Sequence, residues 1–263
     1  MSRVNVLSID WDYFIGCDYL TRLMKFPDGG NENLSPWLQT LVWNTRYSDL
    51  YRNTKGAEIL SSIPVFDPAY KDMCKFLRSS HRRRTYVTES HSMIYPLVED
   101  LFKKYDEVEV WNLDFHHDMF GGLDTNKKLN CGNWVSALHK KYREKFIYHW
   151  VHRDDEDSEK WFDLNKAEWY DRRALEDVFQ VQFPYVFICR SNMWSPPHLD
   201  KKFDWLCNQS TLVSERSYIE QGLHQPREWD EHQYDGLELQ NFANLTKEVI
   251  NYESNPYHLD GQP

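Results

Sequence analysis

The run Asn112-Leu113-Asp114-Phe115-His116-His117-Asp118 places Asp, His and Asp at alternate positions directly after an apolar stretch. Alternate side chains of an extended segment point the same way, so Asp114, His116 and Asp118 can converge. Two carboxylates around an imidazole suit Mn²⁺, Fe²⁺ or Zn²⁺ better than Ca²⁺. Taken alone, the same residues also read as a polar loop with capping aspartates. A second pattern, Ser8-Ile9-Asp10-Trp11-Asp12-Tyr13-Phe14, sets two carboxylates about a Trp at the end of another apolar run. Buried carboxylates of that kind need a cation or hydrogen-bond partners. A third run ends in Thr88-Glu89-Ser90-His91-Ser92, with a single imidazole.

These residues depend on elements that carry them to one edge of a fold. Strand-like runs cover Val4–Ile9, Thr85–Thr88, Glu107–Leu113, Phe146–Val151 and Tyr185–Cys189, each followed by polar or ionisable residues. Between them lie helix candidates. Asp67–Ser80 opens with Asp-Pro, which suits a first helical turn. Pro96–Tyr105 and Lys201–Cys207 are two more, and Asn133–Lys145 carries Trp134, Leu138 and Tyr142 on one face. The alternation predicts an α/β fold, a three-layer α/β/α sandwich with a mostly parallel sheet. Ligands of such sheets sit beyond the carboxyl ends of the strands, where the ionisable residues collect here. The chain reads as a single domain over 1–263. Within it, 25–62 reads as a long loop or lid, Arg153–Lys160 as a solvated charged turn, and 221–263 as a peripheral tail.

The 263 residues are enough for one well-covered core. Lys and Arg number 31 against 41 Asp and Glu, a net charge of −10. That balance argues against a nucleic-acid partner held through phosphates and suits a cationic substrate. Hydrophobic residues at 41% and charged ones at 27% exclude bulk disorder. No apolar run is long enough for a transmembrane helix, and Asp10 and Asp12 interrupt the stretch a signal peptide would need. Cys17, Cys74, Cys131, Cys189 and Cys207 form no C-x-x-C pair and read as free thiols of a cytoplasmic protein.

Together the three motif segments resemble the arginase/ureohydrolase family, which shares its fold with metal-dependent deacetylases. The resemblance implies a binuclear centre with two Mn²⁺ per chain. His91 matches the family's lone His, Asp114, His116 and Asp118 its D-x-H-x-D, and Asp10 and Asp12 its S-x-D-x-D, with Ser8 in the leading place. By that resemblance Asp10 and Asp114 bridge the ions, His91 and Asp118 complete one shell, and His116 and Asp12 the other. Asp118 also orients the nucleophile. In arginases the D-x-D follows the D-x-H-x-D; here it precedes it, so the motif order is permuted. The segment Asn130-Cys131-Gly132-Asn133-Trp134 resembles the arginase loop that touches the amino-acid end of the substrate, but Trp134 and Val135 replace its shuttle His. The stretch Arg190–Pro197 is similar to one in poorly characterised relatives. The chain looks like a member of the atypical peptide arginases of ribosomal-peptide pathways, which convert arginine side chains to ornithine and release urea.

Guanidinium is resonance-stabilised and permanently cationic, so water attacks it slowly. The resemblance implies attack on its carbon by a metal-bridging hydroxide. Its implied substrate is an arginine-containing precursor peptide, with Asn133 and Trp134 lining the approach. Glu89, or alternatively Glu215, would grip the guanidinium, and His117, or alternatively His198, would supply a proton to the leaving amine. Three rivals stand beside this reading. One is a haloacid-dehalogenase-like, Mg-dependent phosphatase using Asp10 and Asp12, with Asp114 and Asp118 as its acidic pair; His116 has no role in it. Another is a different amidino or amide hydrolase of the same fold. The third is a peptide-binding protein with a decayed site, against which the full set of six ligands stands.

Overall fold

The apolar runs form strands: β1 (Arg3–Asp10), β2 (Arg84–Thr88), β3 (Glu107–Leu113), β4 (Phe146–Val151) and β6 (Tyr185–Cys189). Two short strands join them, β5 (Asp171–Arg173) and β7 (Glu215–Tyr218). All seven lie in one sheet of order β5-β4-β3-β1-β6-β2-β7, and every pairing is parallel. The computed structural model describes residues 2–16, 42, 43, 46, 47, 63, 65–79, 83–119, 128–153, 170–210 and 227, and the backbone of 215–218.

Helices cover both faces of the sheet, which is why its central strands read as continuous apolar runs. Along β1, Val4 and Val6 enter one core cluster, while Leu7 and Ile9 enter the other. On the Leu7 side lie α1 (Asp67–Leu77), α4 (Leu175–Val178) and α5 (Asp200–Ser210). On the Val6 side lie α2 (Ile94–Phe102) and α3 (Trp134–Tyr142). In α2 the buried residues are Ile94, Leu97, Val98 and Leu101, a stripe at helical spacing. Burying a side chain of this size is worth about 1.5–3 kcal/mol. The result is the three-layer α/β/α sandwich expected from the alternation of elements.

Strand register sets the site. Ile9 pairs with Leu113, and Cys189 pairs with both Asp10 and Thr88. The carboxyl ends of β3, β1, β6 and β2 therefore stand level. The N-terminal and central motifs occupy adjacent strands, and the His91 segment follows β2, which β6 separates from β1.

The expected peripheral segments differ from expectation where they are described. Val42, Trp43, Arg46 and Tyr47, within 25–62, are all buried; the rest of that segment lies outside the described residues. Arg153, expected in a solvated turn, is also buried. Its Nη1 donates to Ile15 O at 2.6 Å and Tyr13 O at 3.2 Å, and its guanidinium lies 5.4 Å from the Phe115 ring. Residues 154–160 and, apart from Arg227, the 221–263 tail are outside the described residues. Cys74, Cys131, Cys189 and Cys207 are free thiols. Among the described residues no helix is long and apolar enough to cross a membrane.

Candidate metal centre

Six side chains converge at the level carboxyl ends. His91 Nδ1 lies 3.0 Å from Asp10 Oδ2, 3.2 Å from Asp114 Oδ2 and 3.0 Å from Asp118 Oδ2. His116 Nδ1 lies 2.8 Å from Asp12 Oδ2 and 3.8 Å from Asp114 Oδ1. Two donor groups result, Asp10–His91–Asp114 and Asp12–Asp114–His116, each with ligand atoms within 4.8 Å of one another. Asp114 belongs to both. Asp10 joins only the first group, rather than spanning both.

Turns produce this convergence, not the extended alternation that the D-x-H-x-D spacing suggests. Asp10 caps a 3-10 turn over Trp11–Phe14, accepting from the Asp12 N–H at 3.2 Å, and the turn swings Asp12 back. Asp114 Oδ1 accepts from the His116 N–H at 2.7 Å, which bends the chain past the strand end. Asp118 adopts φ 54, a left-handed conformation that Asp tolerates better than most residues. Tyr148 braces the bend, accepting from Asn112 Nδ2 at 3.1 Å and donating to His117 O at 3.0 Å.

The donor set fits divalent cations on a structural ground. None of the three carboxylate contacts at His91 Nδ1 has hydrogen-bond geometry. The other ring nitrogen lies 2.8 Å from Ser8 Oγ, the partner that in metal-bound imidazoles fixes the tautomer. Were its proton directed to Ser8, the ring would aim a lone pair into a ring of carboxylates, an arrangement that a shared cation would stabilise. Without one, the cluster must hold protons instead. In the metal-free chain burial disfavours the charged His91 ring, but Asp118, Asp10 and Asp114 outweigh it and raise His91 well above its usual value. Burial, then Asp12 and Asp114, push the Asp10 carboxyl up to about 6; burial, then Asp118 and Asp12, push Asp114 up to about 8. Burial also raises Asp118. At His116 burial disfavours the charged ring, but Asp12 and Asp114 outweigh it and raise it to about 9. Hard carboxylate oxygens with two imidazoles suit Mn²⁺ and neighbouring first-row ions.

The other anticipated residues fall differently. Glu89 is buried and gripped by Arg190, Nε to Oε2 at 2.7 Å and Nη2 to Oε1 at 2.6 Å, so both its oxygens are engaged internally. Glu215 pairs with Arg84, the first residue of β2, which puts it at the sheet end away from the cluster. Asn133 braces its own loop, accepting from the Asn130 N–H at 2.8 Å and donating to Lys128 O at 3.0 Å. Trp134 is fully buried and donates to Asp118 Oδ2 at 2.5 Å, so it supports a candidate ligand instead of lining an approach. His117 Nδ1 accepts from the Met119 N–H at 2.9 Å, and burial followed by the His116 charge lowers it to about 4. His198 is likewise pushed down to about 4 by burial; it pairs with the Tyr47 hydroxyl at 2.6 Å and faces Ile63 O at 3.2 Å.

Ser191 escaped sequence reasoning. It follows the fully buried β6, has φ 48, and donates from its hydroxyl to Asp10 Oδ2 at 2.6 Å. A polar residue just past a buried strand was the available signal. Searches against protein-family models, curated proteins and solved structures give no match to the chain, so the site rests on its own geometry.

Proposed function

We propose that this chain is a binuclear manganese hydrolase that converts arginine side chains of a peptide to ornithine with release of urea. The observation that carries the reading is the shared carboxylate. Asp114 turns Oδ2 towards His91 and Oδ1 towards His116, so one side chain serves two donor groups. A carboxylate shared in this way would suit a pair of cations of the kind that two-metal hydrolases use. When bound, such ions supply Lewis acidity and activate water at neutral pH.

The chain's own residues would hold the ions, Asp10, His91, Asp114 and Asp118 on one side and Asp12, Asp114 and His116 on the other. Ser8 and Ser191 keep His91 and Asp10 oriented. Of the six, His116 is the most exposed, its side chain at 17% against 6% or less for the others, which favours approach from its side. Trp194 stands there, half-buried, its ring 5.4 Å from that of His116. An indole face beside the approach suits a guanidinium by cation–π attraction, and the net charge of −10 favours a cationic substrate. The motif resemblance to arginases supports guanidinium as the reacting group. A phosphatase built on Asp10 and Asp12 is supported less, because it leaves His91 and His116 without a task.

The test is mass spectrometry of an arginine-containing precursor peptide incubated with the Mn²⁺-loaded chain, beside urea release from free arginine. Arginine converted to ornithine within the peptide is expected. Fast urea release from the free amino acid with an untouched peptide overturns the peptide assignment. Turnover of neither, with metal bound, overturns the arginase reading.

A further inference from the structure

A second dense polar cluster surrounds Arg227. Its guanidinium meets Asp200 twice, Nη2 to Oδ1 at 2.6 Å and Nε to Oδ2 at 2.9 Å. It donates through Nη1 to Asn192 O at 2.7 Å and through Nη2 to Ser195 O at 2.8 Å. The Arg227 N–H also reaches Asp200 Oδ2, at 2.9 Å. The Trp43 ring lies 6.0 Å from the guanidinium carbon, and the side chain is 6% exposed. A bidentate carboxylate, two carbonyls and a ring face match the planar, five-donor fork that only a guanidinium presents.

The walls of this socket belong to the loop that reaches the metal centre. Between Arg190 and Ser195 the chain carries Ser191, whose hydroxyl holds Asp10, and Trp194, whose ring meets His116. Donors from distant segments pin the loop's carbonyls. Trp43 Nε1 reaches Asn192 O at 2.7 Å, Arg46 binds Met193 O, and Arg227 takes Asn192 O and Ser195 O. Ser191 needs such fixing, because its left-handed backbone is not one a serine adopts readily. Asp200 also pairs with Arg190 at 2.9 Å, so loss of Arg227 would not leave it without a cation.

We propose that Arg227 is a positioning residue for the metal centre. Seated in a guanidinium socket made by Asp200, the carbonyls of Asn192 and Ser195 and the Trp43 ring, it holds the 190–195 loop so that Ser191 orients Asp10. The socket accepts a free alkylguanidinium when the Arg227 side chain is removed. The effect on metal rests on the metal-centre reading above; the socket does not.

The experiment compares the full chain with Arg227→Ala, measuring Mn²⁺ affinity by calorimetry and thermal unfolding, each with ethylguanidinium or ethylammonium added. Loss of a group that orients a metal ligand costs roughly 10–100-fold in affinity, so a fall of about 10-fold is expected in the variant. Ethylguanidinium should restore both affinity and unfolding temperature, and ethylammonium should restore neither. Ser191→Ala should lose Mn²⁺ affinity similarly but gain nothing from ethylguanidinium. Should Arg227→Ala fail to fold alone, its folding with ethylguanidinium but not with ethylammonium is the same selective rescue, and failure to fold with either additive overturns the socket. Arg227→Gln, which fills the socket, then tests the positioning role through Mn²⁺ affinity alone. Wild-type affinity in the Arg227 variant overturns the positioning role. Rescue by both additives, or by neither, overturns the socket. A wild-type chain that binds no Mn²⁺ overturns the metal-centre reading and the positioning role together. Selective rescue of the unfolding temperature would in that case still support the socket.

Discussion

Two buried charged clusters lie side by side at the carboxyl ends of the strands, and they are built on opposite principles. Around Arg190, Glu89 and Asp200 face Arg190 and Arg227, two carboxylates against two guanidiniums, in bidentate or short contacts throughout. Each carboxylate of that cluster is held by a guanidinium. Around His91, four aspartates face two imidazoles, and the contacts of His91 Nδ1 lack hydrogen-bond geometry. Burial alone does not distinguish the clusters, since both are nearly inaccessible. The distinction lies in charge balance and contact geometry: the carboxylates of the first are matched by guanidiniums, whereas the second is a donor set that could hold cations. Perturbed carboxylates fit the same division, because a site awaiting positive charge pushes its carboxyls up.

The largest expected effect attacks the shared carboxylate. Asp114→Ala should reduce bound Mn²⁺ from two per chain to less than one, and turnover of an arginine peptide by at least about 100-fold, since both donor groups lose a member. Metal analysis of the purified variant checks it; two tightly bound ions would end the two-group description. The matching break in the other cluster is Arg190→Met. It strands Glu89 and leaves Asp200 with Arg227 alone, and breaking a buried pair from one side costs about 3–5 kcal/mol. Urea unfolding of the metal-free variant measures this. A loss under about 1 kcal/mol would show that the cluster is not the structural unit described here.

Much of the candidate metal cluster was legible in the sequence, and almost none of the Arg190 cluster. Strands buried on both faces leave uninterrupted apolar runs, so the runs before Asp10, Thr88 and Asp114 announced both the strands and their ends. Parallel pairing then brings those ends together. The Glu89–Arg190–Asp200–Arg227 network has no such trace, because its members meet across loops and share no spacing. Glu89 accordingly read as a free carboxylate near His91, and its engagement with Arg190 is invisible without the fold. The elements β5, α4 and β7 escaped because three or four residues cannot display a period. Trp134 was legible as a core residue of its helix, but its indole N–H has a destination that no helical pattern encodes.

Stability against pH offers a third test. In the metal-free chain Asp10, Asp114 and His116 titrate at about 6, 8 and 9, each above its unfolded value near 4 or 6.5. The folded state thus holds more protons than the unfolded one, and stability falls as pH rises through each folded value. His117, lowered to about 4, has the opposite slope, but its contribution is complete by about pH 6.5. Between about pH 6.5 and 9 the metal-free chain should therefore lose stability steadily. Mn²⁺ at about 100 times its Kd should add about 2.7 kcal/mol, roughly 5–10 °C in unfolding temperature. The gain should grow with pH, because metal replaces protons in the cluster. Scanning calorimetry at several pH values, with and without Mn²⁺, decides it. A metal-free unfolding temperature that rises from pH 6.5 to 9 would contradict the charge imbalance on which the contrast between clusters rests.

The smallest expected effect concerns Trp134, which links the metal cluster to the hydrophobic core. Its indole donates to Asp118 Oδ2 at 2.5 Å, and its ring lies 5.3 Å from that of His91 and 5.9 Å from that of Tyr148. Trp134→Phe keeps an aromatic ring in the α3 interface and deletes only the donor and part of the volume. Hydrogen bonds to charged groups are worth about 1.5–3 kcal/mol. The lower end applies here, because cations beside Asp118 would take over part of its stabilisation. About 1.5 kcal/mol corresponds to a roughly 10-fold loss of Mn²⁺ affinity. The KM for an arginine peptide should stay within about two-fold once the metal is saturating, since a fully buried indole touches no substrate. Titration of Mn²⁺ and a KM measurement on the same variant separate the two roles. Unchanged Mn²⁺ affinity with a raised KM would return Trp134 to the wall of the approach, and would mean that the cluster opens towards α3 rather than towards His116 and Trp194.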